Sequence, residues 1–170
     1  MSHHAKGTRL HPIGAPLRGR GVMVEREHDA YRERLKLAEP ALCPECRAVF
    51  QEGRWQWKAA PAGAYEHLCP ACRRIRDHFP AGFVTLEGEF FRAHRQELMQ
   101  CVQAHADHAR AEHPLQRLMD IEERGEGVLI TTTETHLARG IGEALHHAYR
   151  GELRFNHERG QTLLRVHWRR

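Results

Sequence analysis

No apolar run in the 170 residues approaches the roughly 18 needed for a membrane helix, and the N-terminus has no apolar stretch of the kind that directs export. The expectation is a cytoplasmic chain without membrane contact, in which thiols stay reduced and disulfides are disfavoured. Catalytic signatures are missing too. There is no G-x-S-x-G, no phosphate-binding glycine loop, no H-E-x-x-H and no pair of acids on a recognisable scaffold, so neither an enzyme nor a small-molecule substrate is expected. Acidic residues are absent before Glu25, and residues 1–24, rich in Gly, Pro and Arg and including Arg18 and Arg20, read as a flexible basic tail.

Cysteine is present five times, and four of the five fall in two matching pairs, Cys43-Pro-Glu-Cys46 and Cys69-Pro-Ala-Cys72. A C-P-x-C turn is tight enough to aim two sulfurs at one ion, and Pro44 and Pro70 stiffen the two turns in advance. Together the turns supply four thiolates, a closed tetrahedral set with no open position for substrate, which points to one structural zinc ion. A redox C-x-x-C pair would sit at a helix N-terminus inside a β-α-β pattern, and neither pair reads that way. Instead "AVFQEGRWQW" reads as a hairpin turning at Glu52-Gly53, giving a zinc ribbon of two knuckles, each followed by a short strand. The fifth cysteine, Cys101, reads as a small apolar residue on a helix.

The organisation expected from these patterns is α+β. A charged segment over 25–39 has a thin apolar stripe (Tyr31, Leu35, Ala38) and forms at most a marginal helix before Pro40. The ribbon covers 40–79 and an α/β domain covers 80–170. In the latter, "GFVTLEG" is a strand, and a helix runs from Glu89 to about Ala111 with Phe91, Leu98, Cys101, Val102 and Ala109 on one side. "LQRLMDIEE" and "VLITTT" form a hairpin about "RGEG". Thr131 and Glu134 have capping-box spacing, and Leu137, Ile141, Ala144, Leu145, Ala148 and Tyr149 form the clearest amphipathic stripe, stopped at Gly151. Glycines inside "RGIGEAL" suit close packing on a sheet, and two strands follow, around Arg159-Gly160. The order β-α-β-β-α-β-β suggests a ferredoxin-like split β-α-β domain with an extra strand, and a core of Phe83, Leu98, Ile121, Leu129, Ile141, Leu145 and Val166.

"CPEC…CPAC", the strand-helix-hairpin unit, and "TTTETHLARGIGEAL" leading into "GELRF…TLLRVHW" together resemble the NMD family over roughly Leu42 to Trp168. The short bacterial relatives in that family, described as affecting ribosome stability and mRNA decay, look the most similar. The further cysteine pairs and C-terminal export domains of the adaptor relatives are missing, so the resemblance implies a contact with the ribosome or rRNA, and neither export nor catalysis.

Charge agrees with an RNA partner. Residues 1–80 hold 14 Lys+Arg against 9 Asp+Glu, whereas residues 81–170 hold 12 against 13. Within the ribbon, Arg47, Arg54, Lys58, Arg73, Arg74 and Arg76 flank the knuckles and hairpin, and Trp55 and Trp57 alternate on its second strand. Arginine with exposed aromatics suits phosphates and unpaired bases. Arg73, Arg74 and Arg76 are expected to point outward, because only Asp77 is adjacent to neutralise them. Two bland readings stand beside this one: with only three lysines, arginine is abundant everywhere, and either tryptophan can serve to cover a small core. A protein–protein adaptor is the alternative function. Of the fifteen histidines, His105, His108 and His113 have spacing compatible with a second metal, but they read as a solvated helix face.

Overall fold

The structure, a computed structural model, describes Tyr31, residues 37–157 and residues 162–170. The tail expected over 1–24, with Arg18 and Arg20, most of the segment 25–39 and the turn at Arg159-Gly160 lie outside the described residues. What is described is α+β, with two mixed sheets and four helices. No helix among the described residues is long and apolar enough to cross a membrane.

The first sheet is small, with strand order β3-β2-β1-β4. Strand β1 (Ala41–Leu42) pairs antiparallel with β2 (Val49–Gln51) and parallel with β4 (Tyr65–Glu66), and β2 pairs antiparallel with β3 (Arg54–Gln56). The β2–β3 hairpin turns at Glu52-Gly53 as its sequence predicts. Both residues have positive φ, 58° and 73°, which matches the right-handed twist of the strands. The Glu39 carboxylate accepts hydrogen bonds from the Glu52 and Gly53 N–H groups at 2.6 and 3.0 Å, holding the turn from outside.

The second cysteine pair is not followed by a strand. It opens helix α1 (Pro70–Arg76), with Cys69 as N-cap and Pro70 in the first turn. The ribbon of two equivalent knuckles is therefore corrected to knuckle, hairpin and helix. Pro70 fits the helix, since at the first helical position its missing N–H costs nothing and its fixed φ is already helical.

The larger sheet has the order β6-β7-β5-β9-β8. Strand β5 (Gly82–Glu87) lies at its centre, antiparallel to β7 (Gly127–Thr132) and parallel to β9 (Leu164–Arg169); β6 (Leu118–Arg124) and β8 (Glu152–His157) are the two edges. The helix expected over 89–111 is broken at His94 into α2 (Glu89–Ala93) and α3 (Arg95–Glu112). The break lets Phe91 turn inward to 1% exposure, while the carbonyl of Arg170 accepts from the Phe90 and Phe91 N–H groups. Helix α4 (Thr135–Tyr149) completes the set. Its N-cap is Glu134, without a side-chain cap, so the capping box is not formed: Thr131 is paired within β7, and it is Thr132 Oγ1 that donates to the Glu134 carbonyl at 2.7 Å.

The chain order of elements from β5 onward follows the predicted sequence of strands and helices, but the ferredoxin-like spatial order is not reproduced. The place beside β5 that a split β-α-β plan gives to β8 is taken by β9. One face of the sheet is buried under α3 and α4, where Val84, Leu86, Val128, Ile130, Leu164, Val166 and Trp168 meet Leu98, Val102, Leu137, Ile141 and Leu145. Phe83 and Leu129, expected in this core, belong to the opposite face, because strand residues alternate and Val84 and Leu86 point inward. Ile121 has the inward parity opposite Ile130 but sits on the edge strand, at an open groove beside α3, and is 41% exposed. The helix glycines do allow close approach. A methyl group on Gly142 would lie 2.6 Å from Val166 Cγ1, and one on Gly140 would lie 2.5 Å from the ring of His105.

Candidate metal centre

Two local structures bring the four cysteines together. In the first knuckle, the Cys43 carbonyl accepts from the Arg47 N–H at 3.0 Å and the Cys43 N–H donates to the Ala48 carbonyl at 2.9 Å; the tight turn puts Arg47 at φ 66°. In the second, the start of α1 places Cys69 and Cys72 on adjacent turns, with the Cys72 N–H donating to Cys69 Sγ at 3.4 Å. The two are joined when the Cys69 N–H donates to Cys43 Sγ, also at 3.4 Å. All four sulfurs lie within 4.8 Å of one another, and Cys46 Sγ is 3.7 Å from Cys69 Sγ. A tetrahedral ion with bonds of about 2.3 Å sets its sulfurs about 3.8 Å apart, so the cluster fits a four-coordinate metal. Although Cys69 does cap a helix, four convergent sulfurs are two more than a redox pair needs.

Crowding sets the sulfurs against one another. The thiol of Cys69 hydrogen-bonds to Cys46, favouring the Cys46 thiolate and holding its pKa down to about 4, while the same contact and burial push Cys69 up. Burial pushes Cys72 up to about 12, against the pull of the Arg117 guanidinium. Only a cation at the centre makes four ionised sulfurs stable side by side, which is why metal uptake at such a site expels protons. The shell around them is a small apolar cluster: Ala48, Trp55 and Ala71 are buried with the cysteines, and Leu37, Phe50, Leu68 and Leu115 lean on it. Cys101 stands apart, packed against the larger core.

The cationic and aromatic residues expected at an RNA surface separate into groups. Arg47, Arg54 and Lys58 are exposed. Arg73 is partly buried. Arg74 is not outward-facing: it is 4% exposed, lies over the ring of Tyr31 at 4.4 Å and donates to the Phe79 carbonyl at 3.0 Å. Aromatic faces thus cover a buried guanidinium here. Arg76 is exposed but paired with Glu45 of the first knuckle at 2.5 Å. Trp55 is 9% exposed and packs in the cysteine cluster, its ring 5.5 Å from that of Phe50. Trp57 is 38% exposed and its indole N–H donates to the Arg110 carbonyl at 2.6 Å, fastening the hairpin to the end of α3. His105, His108 and His113 do not converge on one another; among the described residues the four cysteines are the one group able to hold a metal.

Sequence reasoning missed Arg117. It lies between α3 and β6, 45 residues from the nearer cysteine, and donates to Cys72 Sγ at 3.3 Å and Cys69 Sγ at 3.2 Å. A single arginine between Leu115 and Leu118 carries no local signal of such a contact. Compared with known proteins, the chain matches no family model, no curated protein and no solved structure, so the resemblance to the NMD family gains no support from them.

Proposed function

We propose that this chain is a zinc-stabilised, non-enzymatic RNA-binding protein that associates with the ribosome through rRNA. The observation that carries the reading is the closed sulfur set: four convergent cysteines leave no coordination position for a substrate, so the ion is an architectural part. What that part presents is basic. Arg47 is at the knuckle, Arg54 beside the hairpin turn and Lys58 just past β3; all three are exposed, on a first half of the chain where Lys+Arg exceed Asp+Glu by five. Such cations contact phosphates without needing a base sequence. The ribosome enters as the RNA that the NMD resemblance implies.

The test replaces Arg47, Arg54 and Lys58 together by Ala. Zinc content and melting should match the unaltered protein. Co-sedimentation with ribosomes should weaken, and its dependence on salt should flatten by roughly one unit of slope per lost phosphate contact. Co-sedimentation with an unchanged salt slope would refute RNA binding by this surface. A second reading, a protein–protein adaptor, draws on one observation: a groove of about 520 Å³ between α1, α3 and β6, lined in part by Ile75, Leu118, Met119 and Ile121. Retention on a protein partner through a high-salt wash would favour it.

A further inference from the structure

Arginine cannot shed its charge in a protein, and burying a guanidinium without an anion is costly. Arg117 is only 8% exposed, yet none of the ion pairs among the described residues involves it. Its Nε donates to the Pro114 carbonyl at 2.8 Å, and its two terminal nitrogens donate one each to Cys72 and Cys69. What it faces is the sulfur cluster. A divalent ion held by four thiolates carries a net charge of −2, itself buried, so cation and cluster answer each other's desolvation. The residue is also fixed from behind: its N–H donates to Thr133 Oγ1 at 2.9 Å and its carbonyl accepts from the Thr133 N–H at 3.0 Å, where β7 passes into α4.

We propose that Arg117 is a positioning residue for the metal centre: supplied by the α/β half, it forks the two sulfurs of the second pair, strengthens metal binding there, and ties the two halves of the chain together. The inference rests on the metal reading above. It makes the metal site a property of the whole chain, since a group bonded into the large sheet completes the charge balance of a centre built from the small one. The fork geometry also distinguishes Cys69 and Cys72 from Cys43 and Cys46, which accept nothing from Arg117.

The test uses the full chain with Arg117→Met, which keeps the side chain's length without its charge, and Arg117→Lys, which keeps the charge without the fork. Zinc affinity is read by competition with a chromophoric chelator, and the alkylation rate of each cysteine is read by mass spectrometry on the zinc-loaded protein. The expected result is a 10- to 100-fold loss of zinc affinity for Met, a smaller loss for Lys, and faster alkylation of Cys69 and Cys72 relative to Cys43 and Cys46. Zinc affinity and cysteine protection unchanged in both variants, with only the melting temperature lowered, would make Arg117 a packing residue and overturn the inference. Should the Met variant fail to fold, the Lys variant decides by the same two readouts. Absence of zinc from the unaltered protein would instead sink the metal reading, and this inference with it.

Discussion

Arg74 and Arg76 stand two positions apart along α1 and have opposite surroundings. Arg74 turns under Tyr31 and Phe79, whose rings stack 5.5 Å apart, while Arg76 reaches across open surface to Glu45. Arg74→Ala should therefore destabilise the protein by about 1–2 kcal/mol, the scale of a desolvated cation–π contact. Arg76→Ala should leave the denaturant midpoint where it is, because an exposed ion pair stabilises little. The two α4 glycines offer a second contrast. Gly142 faces Val166 and Leu153, atoms held in the core, so Gly142→Ala should cost about 1–3 kcal/mol by overpacking. Gly140 faces the tip of the His105 ring, which can swing away, so Gly140→Ala should cost little or gain up to about 1 kcal/mol of helix propensity. Thermal melts of the four variants check both pairs. None of these differences is legible locally: Tyr31 is 43 positions from Arg74, and the two glycines look alike in the chain until β9 and α3 are laid against them.

At the scale of elements, legibility follows periodicity. Helix α4 is legible because its stripe is long and regular, and the cysteine pairs because their spacing is that of metal ligands; strand β7 is legible as a strand, but "VLITTT" has apolar residues on both parities and its inward face is not. Strand β5 was read with the wrong inward face, because "GFVTLEG" offers a large apolar residue on either parity and only its partners choose between them. The helix after the second pair was missed because seven residues are too few to show a period. Such a helix is also too short to persist alone, so metal removal should be felt there first. With a chelator, amide exchange should accelerate over 41–77 while the β5, β7 and β9 amides stay protected; loss of protection throughout would mean a single cooperative unit. The contact between α3 and α4 has a pH signature. Burial, with His108 nearby, lowers the pKa of His105 below its ordinary 6.5. The unfolded chain then takes up the proton more readily than the folded one. The stability at stake is intact above pH 6.5 and is lost as pH falls through that value toward the folded pKa. His105→Gln should lessen the drop in denaturant midpoint between about pH 7.5 and 5.5, measured without chelator.

On the scale of the whole molecule, the larger core draws on no residue before Val84, so a chain beginning at Pro80 should melt cooperatively with a chelator present, with Arg117 released into water instead of buried. A non-cooperative melt would show that the smaller half is needed for the larger to fold. The placement of β9 could not be read from the sequence, since nothing in "LLRVHW" distinguishes an edge strand from one inserted next to the centre; alternation is the same in both. That placement governs how the fold can be reached. Gly82 pairs with Leu164 and Glu87 with Arg169, so the two strands at the heart of the sheet are separated by almost the whole length of the α/β half. Neither their ladder nor the pocket that seals Trp168 can form early, because the long loop must close before any contact rewards it. While the chain is still being synthesised, Val84 and Leu86 wait beside β7 with one flank bare until residue 169 is free to arrive, and β8 has no partner in the sheet until then. Completion of this sheet therefore waits on β9, and until then the bare flank of β5 is open to pairing with a neighbouring chain.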